Sequence, residues 1–243
     1  MPTATPPPHR PRLARNDIRQ YEVLAGEWWR PGGAFEGLRW IAAARAALIT
    51  PARHPGAVLV DLGCGGGLLA PHVRALGYRH VGVDLVGAGL AEARRVGVTP
   101  LRADVRAVPL ADACCDVVSA GEILEHVDHP STVVREAIRI LRPGGLLVLD
   151  TINQTALARL VAIRLVEALG GASLRGLHDP ALLVSRRQLV RECAQAGLTL
   201  QVRGLRPRIG QLLRWMATGR GAVTMVPTWS TAVLYQGWGI KNR

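Results

Sequence analysis

A layered α/β fold, built on a mostly parallel sheet with helices on both faces, is what this sequence predicts, and three observations carry the prediction. After Pro55, short apolar runs alternate with helical stretches at the spacing of βαβ units. The first run, "VLVDL", feeds "GCGGG", four glycines in five positions, and then an apolar helix. The next two runs end in aspartates, Asp84 in "VGVD" and Asp104 in "RAD".

Taken in order, residues 1–15 are a Pro/Arg-rich tail with no apolar core of a secretory signal, and are expected to be disordered. Residues 16–52 form an N-terminal helical cap: helix 16–29 carries Ile18, Tyr21, Leu24 and Trp28, "RPGG" breaks it, and helix 38–49 is Ala-rich. Residues 53–243 form the main domain, with strands at 57–62, 80–84, 98–103, 115–120, 145–151, 198–205 and 230–237, seven in all. Helices fill 67–76, 87–96, 130–141, 155–169 and 185–196, giving a helical insertion over 153–196. A basic insertion over 206–228, its charge concentrated in 206–220, precedes the last strand.

Composition narrows the function classes. The formal charge is +12 and Lys241 is the sole lysine, so the basicity is almost wholly arginine and favours anionic partners. Cysteines at 64, 114, 115 and 193 match neither a disulfide ladder nor a CxxC zinc site, which points to buried thiols in a reducing cytoplasm. No run of about 18 uncharged apolar residues predicts a membrane-spanning helix.

A glycine turn between strand and helix lets a ligand touch bare main chain and meet the N–H groups of the helix N-terminus. Dinucleotides need G-x-G-x-x-G to seat a pyrophosphate. Here Gly63, Gly65 and Gly67 follow Asp61 at G-x-G-x-G spacing. Asp84 is placed to accept from ribose hydroxyls, and Asp104 to meet an adenine amino group. A lone Asp at a strand end is ordinary turn chemistry; three at successive strand ends beside that turn point to a nucleoside ligand.

With "DLGCGGG", "VGVD", "RAD", "CDVVSAGEILEHV" and "LRPGG" in this order, the chain resembles a class I S-adenosylmethionine-dependent methyltransferase over roughly residues 16 to 205. "YEVLAGEWWRPGGAF", "FEGLRWIAAARAALI", "GEILEHVDHP", "DTINQT" and "GLHD" are similar to the ubiquinone-biosynthesis O-methyltransferases, which methylate polyprenylated phenols and catechols. The resemblance implies a Rossmann-like, seven-stranded, mostly parallel sheet with an N-terminal helical cap. It further implies S-adenosyl-L-methionine as cofactor, with Arg45 on the methionine carboxylate, Gly63 against the methionine and Asp84 on the ribose. Asp61, Gly65, Gly67, Asp104 and Gly121 complete the expected cofactor set.

"GEILEHV" carries Glu122, Glu125 and His126; if Glu122 opens a helix, offsets of three and four put all three on one face. Two carboxylates favour Mg²⁺ or Mn²⁺, and the histidine keeps Zn²⁺ or Fe²⁺ open. The resembled family is implied to use these three as metal ligands, although "LEHV" also occurs in methyltransferases that bind no metal. A divalent cation would stabilise a phenolate whose parent phenol has a pKa near 10. Candidate bases are His126, where it is not a ligand, and His178 in "GLHDP", which reads equally as a structural loop histidine; Glu122 completes the expected catalytic set. Asp179 either orients His178 or caps the following turn. Asn153 is expected to cap the next helix.

The stretch 155–171 is amphipathic, with Leu157, Val161, Leu165, Ala168 and Leu169 opposite Arg159, Arg164 and Glu167. It reads either as core-facing or as an interfacial helix that admits a lipidic substrate from the inner face of the membrane. The expected function is O-methylation of a phenolic or catecholic quinone precursor. A metal-independent methyltransferase of natural-product metabolism and a non-catalytic cofactor-binding scaffold are the alternatives. Nucleic acid is disfavoured: no Pro-Cys dipeptide, "[DN]PP[YF]" pattern or RNA-binding module is present.

Overall fold

The computed structural model describes residues 13–161 and 176–242. Five strands form the parallel part of the sheet: β1 (Val58–Leu62), β2 (Arg79–Asp84), β3 (Thr99–Arg102), β4 (Cys115–Gly121) and β5 (Leu141–Ile152). Three more, β6 (Gln201–Pro207), β7 (Met225–Thr228) and β8 (Leu234–Ile240), complete an eight-stranded sheet in the order β3-β2-β1-β4-β5-β8-β6-β7. β8 runs antiparallel to both β5 and β6, and β7 hangs antiparallel on the outer edge of β6. Seven strands were expected; the eighth, β7, comes from inside the basic insertion, where "MVPT" has too few apolar residues to show period-two patterning.

Side chains alternate between the two faces, as the strand repeat demands. Val60, Val118, Leu147 and Leu149 join one core cluster, while Leu59, Val117 and Val148 join another on the opposite face. Burial on both faces explains the near-continuous hydrophobic runs of these strands. The first face is covered by α5 (Pro130–Ile140), through Val133, Val134 and Ala137, and by the helix Arg186–Gln195, through Leu189 and Cys193. The other is covered by α2 (Glu36–Ala46) and α3 (Ala70–Val73), which contribute Ala46 and Val73. Lys241 is structural: its Nζ donates to the carbonyls of Ile138 and Leu141, 2.7 and 2.8 Å away, which satisfies the end of α5.

Several expected helices are shorter than their apolar periodicity. The 16–29 segment resolves into α1 (Arg19–Val23) and a 3₁₀ turn, Ala25–Glu27. The 67–76 segment spends its first residues in the glycine turn, begins α3 at Ala70 and ends in a 3₁₀ turn, Arg74–Leu76. α4 (Gly87–Arg95) and α5 lie close to expectation. α6 begins at Ala156–Ala158, capped by Thr155, whose side chain accepts from Ala158 N. Asn153, expected in that capping role, instead accepts from the main-chain N–H of Arg186 at the start of α7 (Arg186–Gln195) and donates to Thr231. Most of the expected 155–171 helix and nearly all of the 1–15 tail lie outside the described residues. The basic insertion carries α8 (Ile209–Thr218).

Leu147 is 1 % exposed at the centre of the larger core cluster. Leu147→Ala should destabilise the protein by roughly 2–5 kcal/mol in equilibrium denaturation.

Candidate active site

The carboxyl ends of β1, β2, β4 and β5 converge on one edge of the sheet, where open α/β folds place their ligands. β1 runs into Gly63, Gly65 and Gly67, with φ of 70°, 49° and 77°, conformations that disfavour any side chain. Space enforces the same choice, since a Cβ on Gly63 would stand 2.7 Å from Ile123 Cγ1. Beneath the turn the buried Cys64 fills the gap over Gly82, and burial pushes its thiol well above the ordinary range, so it is inert packing. Asp84 closes the turn: Oδ2 accepts from Gly65 N and Oδ1 from Val86 N, each at 2.8 Å. Asp84, expected on a ribose, also organises the main chain of the turn with the same carboxylate.

The cap lies directly on this turn. Trp28 stacks on Phe35 with ring centroids 3.9 Å apart, and its indole covers Gly65 and Gly66, where a Cβ on Gly66 would stand 2.5 Å from Trp28 Cγ. Trp29 Nε1 donates to Gly66 O at 3.1 Å. The sequence places Trp28 in the helical pattern and both tryptophans in "YEVLAGEWWRPGGAF"; their adjacency to a bare turn is a tertiary fact.

Arg45 enters from α2, is 6 % exposed, and donates from a terminal nitrogen to Asp150 Oδ1 at 2.5 Å. The guanidinium passes against Gly121, where any Cβ would collide with it, so the glycine at the end of β4 is required sterically. Arg45 Nε and Asp150 Oδ2 have no further partner among the described residues. Asp61, 3 % exposed at the end of β1, lies 3.7 Å from His80 Nε2. Asp104 is drawn away from the group: both its oxygens engage Arg106, at 2.7 to 3.1 Å, and Oδ1 also accepts from Arg106 N. That is the turn chemistry weighed against its adenine role.

No helix opens at Glu122, and this corrects the one-face expectation. Glu122 is left-handed, φ 51°, and Leu124–His126 form a 3₁₀ turn; α5 starts later, at Pro130, and its first turn needs no acidic cap. A non-glycine residue held there costs on the order of 1–3 kcal/mol. Its N–H donates to Asp150 O at 2.9 Å. Burial, then the neighbouring Glu125 and Asp150, push the Glu122 carboxyl well above the usual range. Glu125 is fully buried; Thr151 Oγ1 donates to its Oε2 at 2.7 Å, and burial raises its pKa to about 7. One oxygen of each, Glu122 Oε1 and Glu125 Oε1, has no hydrogen-bond partner among the described residues.

His126 is clasped by the cap. Its Nδ1–H donates to Asn16 Oδ1 at 2.6 Å, its Nε2 accepts from the Tyr21 hydroxyl at 3.2 Å, and Asn16 Nδ2 donates back to His126 O. Burial pushes the imidazole down to about 3, with His178 adding to the shift, so the ring is neutral near pH 7. Burial likewise drives the Tyr21 phenol upward, reinforced by Glu125, Asp84 and Glu122, and keeps it a donor. His178 lies against His126 with ring centroids 5.1 Å apart and planes tilted by 32°. Its segment is tied to the cap by Asn16 N and Gln20 Nε2 on Gly176 O and by Arg15 on His178 O. Asp179 accepts from Ala181 N, as a turn cap does.

Among the described residues, the set whose ligand atoms lie within 4.8 Å of one another is Glu125, His126 and His178. The expected triad placed Glu122 where the structure puts His178. Asn16, Tyr21, Asp150 and Thr151 were not expected as site residues, although Tyr21 opens the segment "YEVLAGEWWRPGGAF" and Asp150 and Thr151 open "DTINQT".

Similarity to known proteins agrees with this geometry. The profile of a family described as a methyltransferase domain matches residues 60–149. A ubiquinone biosynthesis O-methyltransferase of Burkholderia pseudomallei (strain K96243) is 30% identical over 199 residues, spanning 78% of this chain and 86% of the relative. One from Bordetella pertussis is 32% identical over 191 residues, 75% of this chain and 79% of the relative. In fold, an S-adenosylmethionine-dependent methyltransferase from Thermotoga maritima superposes with a TM-score of 0.65 at 17% identity, covering 93% of this chain and 100% of that one. A geranyl diphosphate methyltransferase in complex with GPP and sinefungin gives 0.56 at 18% identity, covering 84% and 78%.

Two measurements test the buried charges. Arg45→Met strands Asp150 and should cost roughly 3–5 kcal/mol of stability, most of it recovered by the double variant Arg45→Met/Asp150→Leu. A carboxyl with a raised folded pKa binds its proton more tightly when folded, so the stability it contributes is full below its unfolded pKa of 4.5 and is lost as pH rises through about 7. The denaturation midpoint should therefore fall less between pH 5 and pH 8 in Glu125→Gln than in the unsubstituted protein.

Proposed function

The chain belongs to the class I S-adenosylmethionine-dependent methyltransferases, as an O-methyltransferase related to those of ubiquinone biosynthesis, and from that premise we propose that it methylates a phenolic or catecholic hydroxyl of a quinone precursor with the help of a divalent cation. The observation that carries the proposal is the convergence of Glu125, His126 and His178 within 4.8 Å, beside the carboxyl of Glu122.

The residues fit both groups. For the cofactor, the left-handed glycine turn offers bare main chain, Asp84 stands at the neighbouring strand tip, and the unpartnered Arg45 Nε leaves the guanidinium donor capacity for a carboxylate. Trp28 shares that main chain and must yield part of it when a ligand arrives. For the cation, an oxygen and two imidazoles suit a borderline-hard divalent ion, and Glu122 Oε1 and Glu125 Oε1 lack other partners. When bound, such an ion would stabilise the phenolate of the acceptor.

The protein's own groups do the remaining work. Without a cation, Glu125, with a pKa of about 7, would hold or give up a proton near neutrality. Asn16 and Tyr21 hold the His126 ring in one orientation, while burial and His178 keep it neutral. Trp28, Phe35 and Tyr21 wall the site against water, and the transfer then depends chiefly on in-line positioning of the acceptor oxygen.

One observation favours a metal-independent second reading: both ring nitrogens of His126 are already engaged, so ligation would have to displace Tyr21. The assay that separates them compares prenylated and unprenylated catechols with Mg²⁺ and with excess EDTA. Turnover should require the cation and fall at least 100-fold in Glu125→Gln; full activity in EDTA would establish the metal-independent reading. Contact with the inner face of a membrane through 155–171 belongs to the same proposal. Its described part presents Leu157 and Leu160, 49% and 54% exposed, and among the described residues no helix is long and apolar enough to cross a membrane.

A further inference from the structure

The basic insertion forms an excursion, Arg206 to Trp229, that the methyl-transfer chemistry leaves unused. It leaves β6, forms α8, and returns as β7 on the sheet edge, with Pro207 opposite Met225. α8 buries no residue completely. Its inner side rests on the cap through Trp215, edge-on to Trp40 of α2 at 5.1 Å between ring centroids. Its other side presents Ile209, Leu213 and Met216, spaced four and three residues apart and therefore in one row, at 53%, 60% and 49% exposure. Trp229, at the return of β7, is completely exposed. Ordinary surface helices bury such a row in the core; here it faces outward.

Charge identifies what the row meets. From residue 193 to the C-terminus the chain contains no Asp or Glu, while Arg203, Arg206, Arg208, Arg214, Arg220, Lys241 and Arg243 all fall there. Among the described residues none of Arg206, Arg208, Arg214 and Arg220 is paired with a carboxylate. An apolar row with an exposed tryptophan, flanked by unneutralised arginines, matches the boundary of an anionic bilayer, where acyl chains lie beneath acidic headgroups. A protein partner of equal fit would need an acidic, apolar groove; a second copy of this chain brings the same positive charge and is repelled.

We infer that the Arg206–Trp229 excursion is a membrane-docking surface that seats α8 in the headgroup region of an anionic lipid bilayer. The surface lies on α2, the helix that delivers Arg45, so docking sets the bilayer beside the active site. This is separate from contact through 155–171, and it stands whether or not the methyl acceptor is a quinone precursor.

The test is co-sedimentation of the full chain with vesicles of pure phosphatidylcholine and of phosphatidylcholine with phosphatidylglycerol. Binding should require the anionic lipid and weaken with salt. Arg208→Gln/Arg214→Gln/Arg220→Gln should weaken it on the order of 100-fold. Leu213→Glu/Met216→Glu should abolish it while leaving the circular dichroism spectrum and cofactor binding unchanged. Undiminished binding by both insertion variants overturns the inference, including the case in which Leu157→Glu/Leu160→Glu alone removes it. Failure of the unsubstituted protein to bind anionic vesicles, or a loss of self-association as the only effect of Leu213→Glu/Met216→Glu, overturns it as well.

Discussion

One buried ion pair organises this molecule. Arg45, delivered by a helix of the cap, crosses the bare Gly121 to reach Asp150 at the end of β5. Burying two charges is rarely net stabilising, because desolvation offsets their attraction. What such a pair does supply is a single geometry, since neither partner tolerates separation once out of water. Here it sets the height and angle at which α2, and with it the whole aromatic cap, lies over the carboxyl edge of the sheet.

With the cap so placed, the electrostatics of the site follow. Trp28 and Phe35 exclude water from the glycine turn, while Tyr21 and Asn16 reach the far side of His126. Glu122, Glu125 and Asp150 then outnumber the one guanidinium among them, and burial raises the proton affinity of all three. A region that is acid-rich, poorly hydrated and incompletely hydrogen-bonded takes up protons or a cation. The proposed chemistry uses this frustration: carboxyls whose burial is costly are held together at the edge where the acceptor is proposed to be activated.

The surface follows the opposite logic. Arginines such as Arg19, Arg30, Arg95 and Arg106 pair locally with acids two or three residues away, which is how a chain of charge +12 keeps most of its surface mixed in sign. The insertion between β6 and β8 breaks that habit, having no acids to pair. Its helix packs on the cap, so the excursion and the active site share one scaffold.

Much of this was legible in the linear chain because its causes are local. Strand periodicity located β1, β2, β4 and β5; positive-φ turns demand glycine, so "GCGGG" marked the ligand edge; and the strand-end aspartates marked its neighbours. Offsets of three and four misplaced the Glu122 group, because they hold only in a helix and Glu122 is left-handed. Asp104, expected near an adenine, has both oxygens on Arg106, two residues away, a local pairing the strand-end pattern did not show. β7, four residues without alternation, left no pattern to read.

The sequence by itself thus determined the fold class, the glycine turn and the acidic residues gathered at the carboxyl edge of the sheet. Only the tertiary structure decided who partners whom: Arg45 with Asp150 across 105 residues, Asn16 with His126 across 110, and His178 brought beside Glu125 and His126. The reason is physical. Backbone preference and periodicity act over a few neighbours, whereas proton affinity and ligation depend on which groups are desolvated together, and that is settled when distant segments pack.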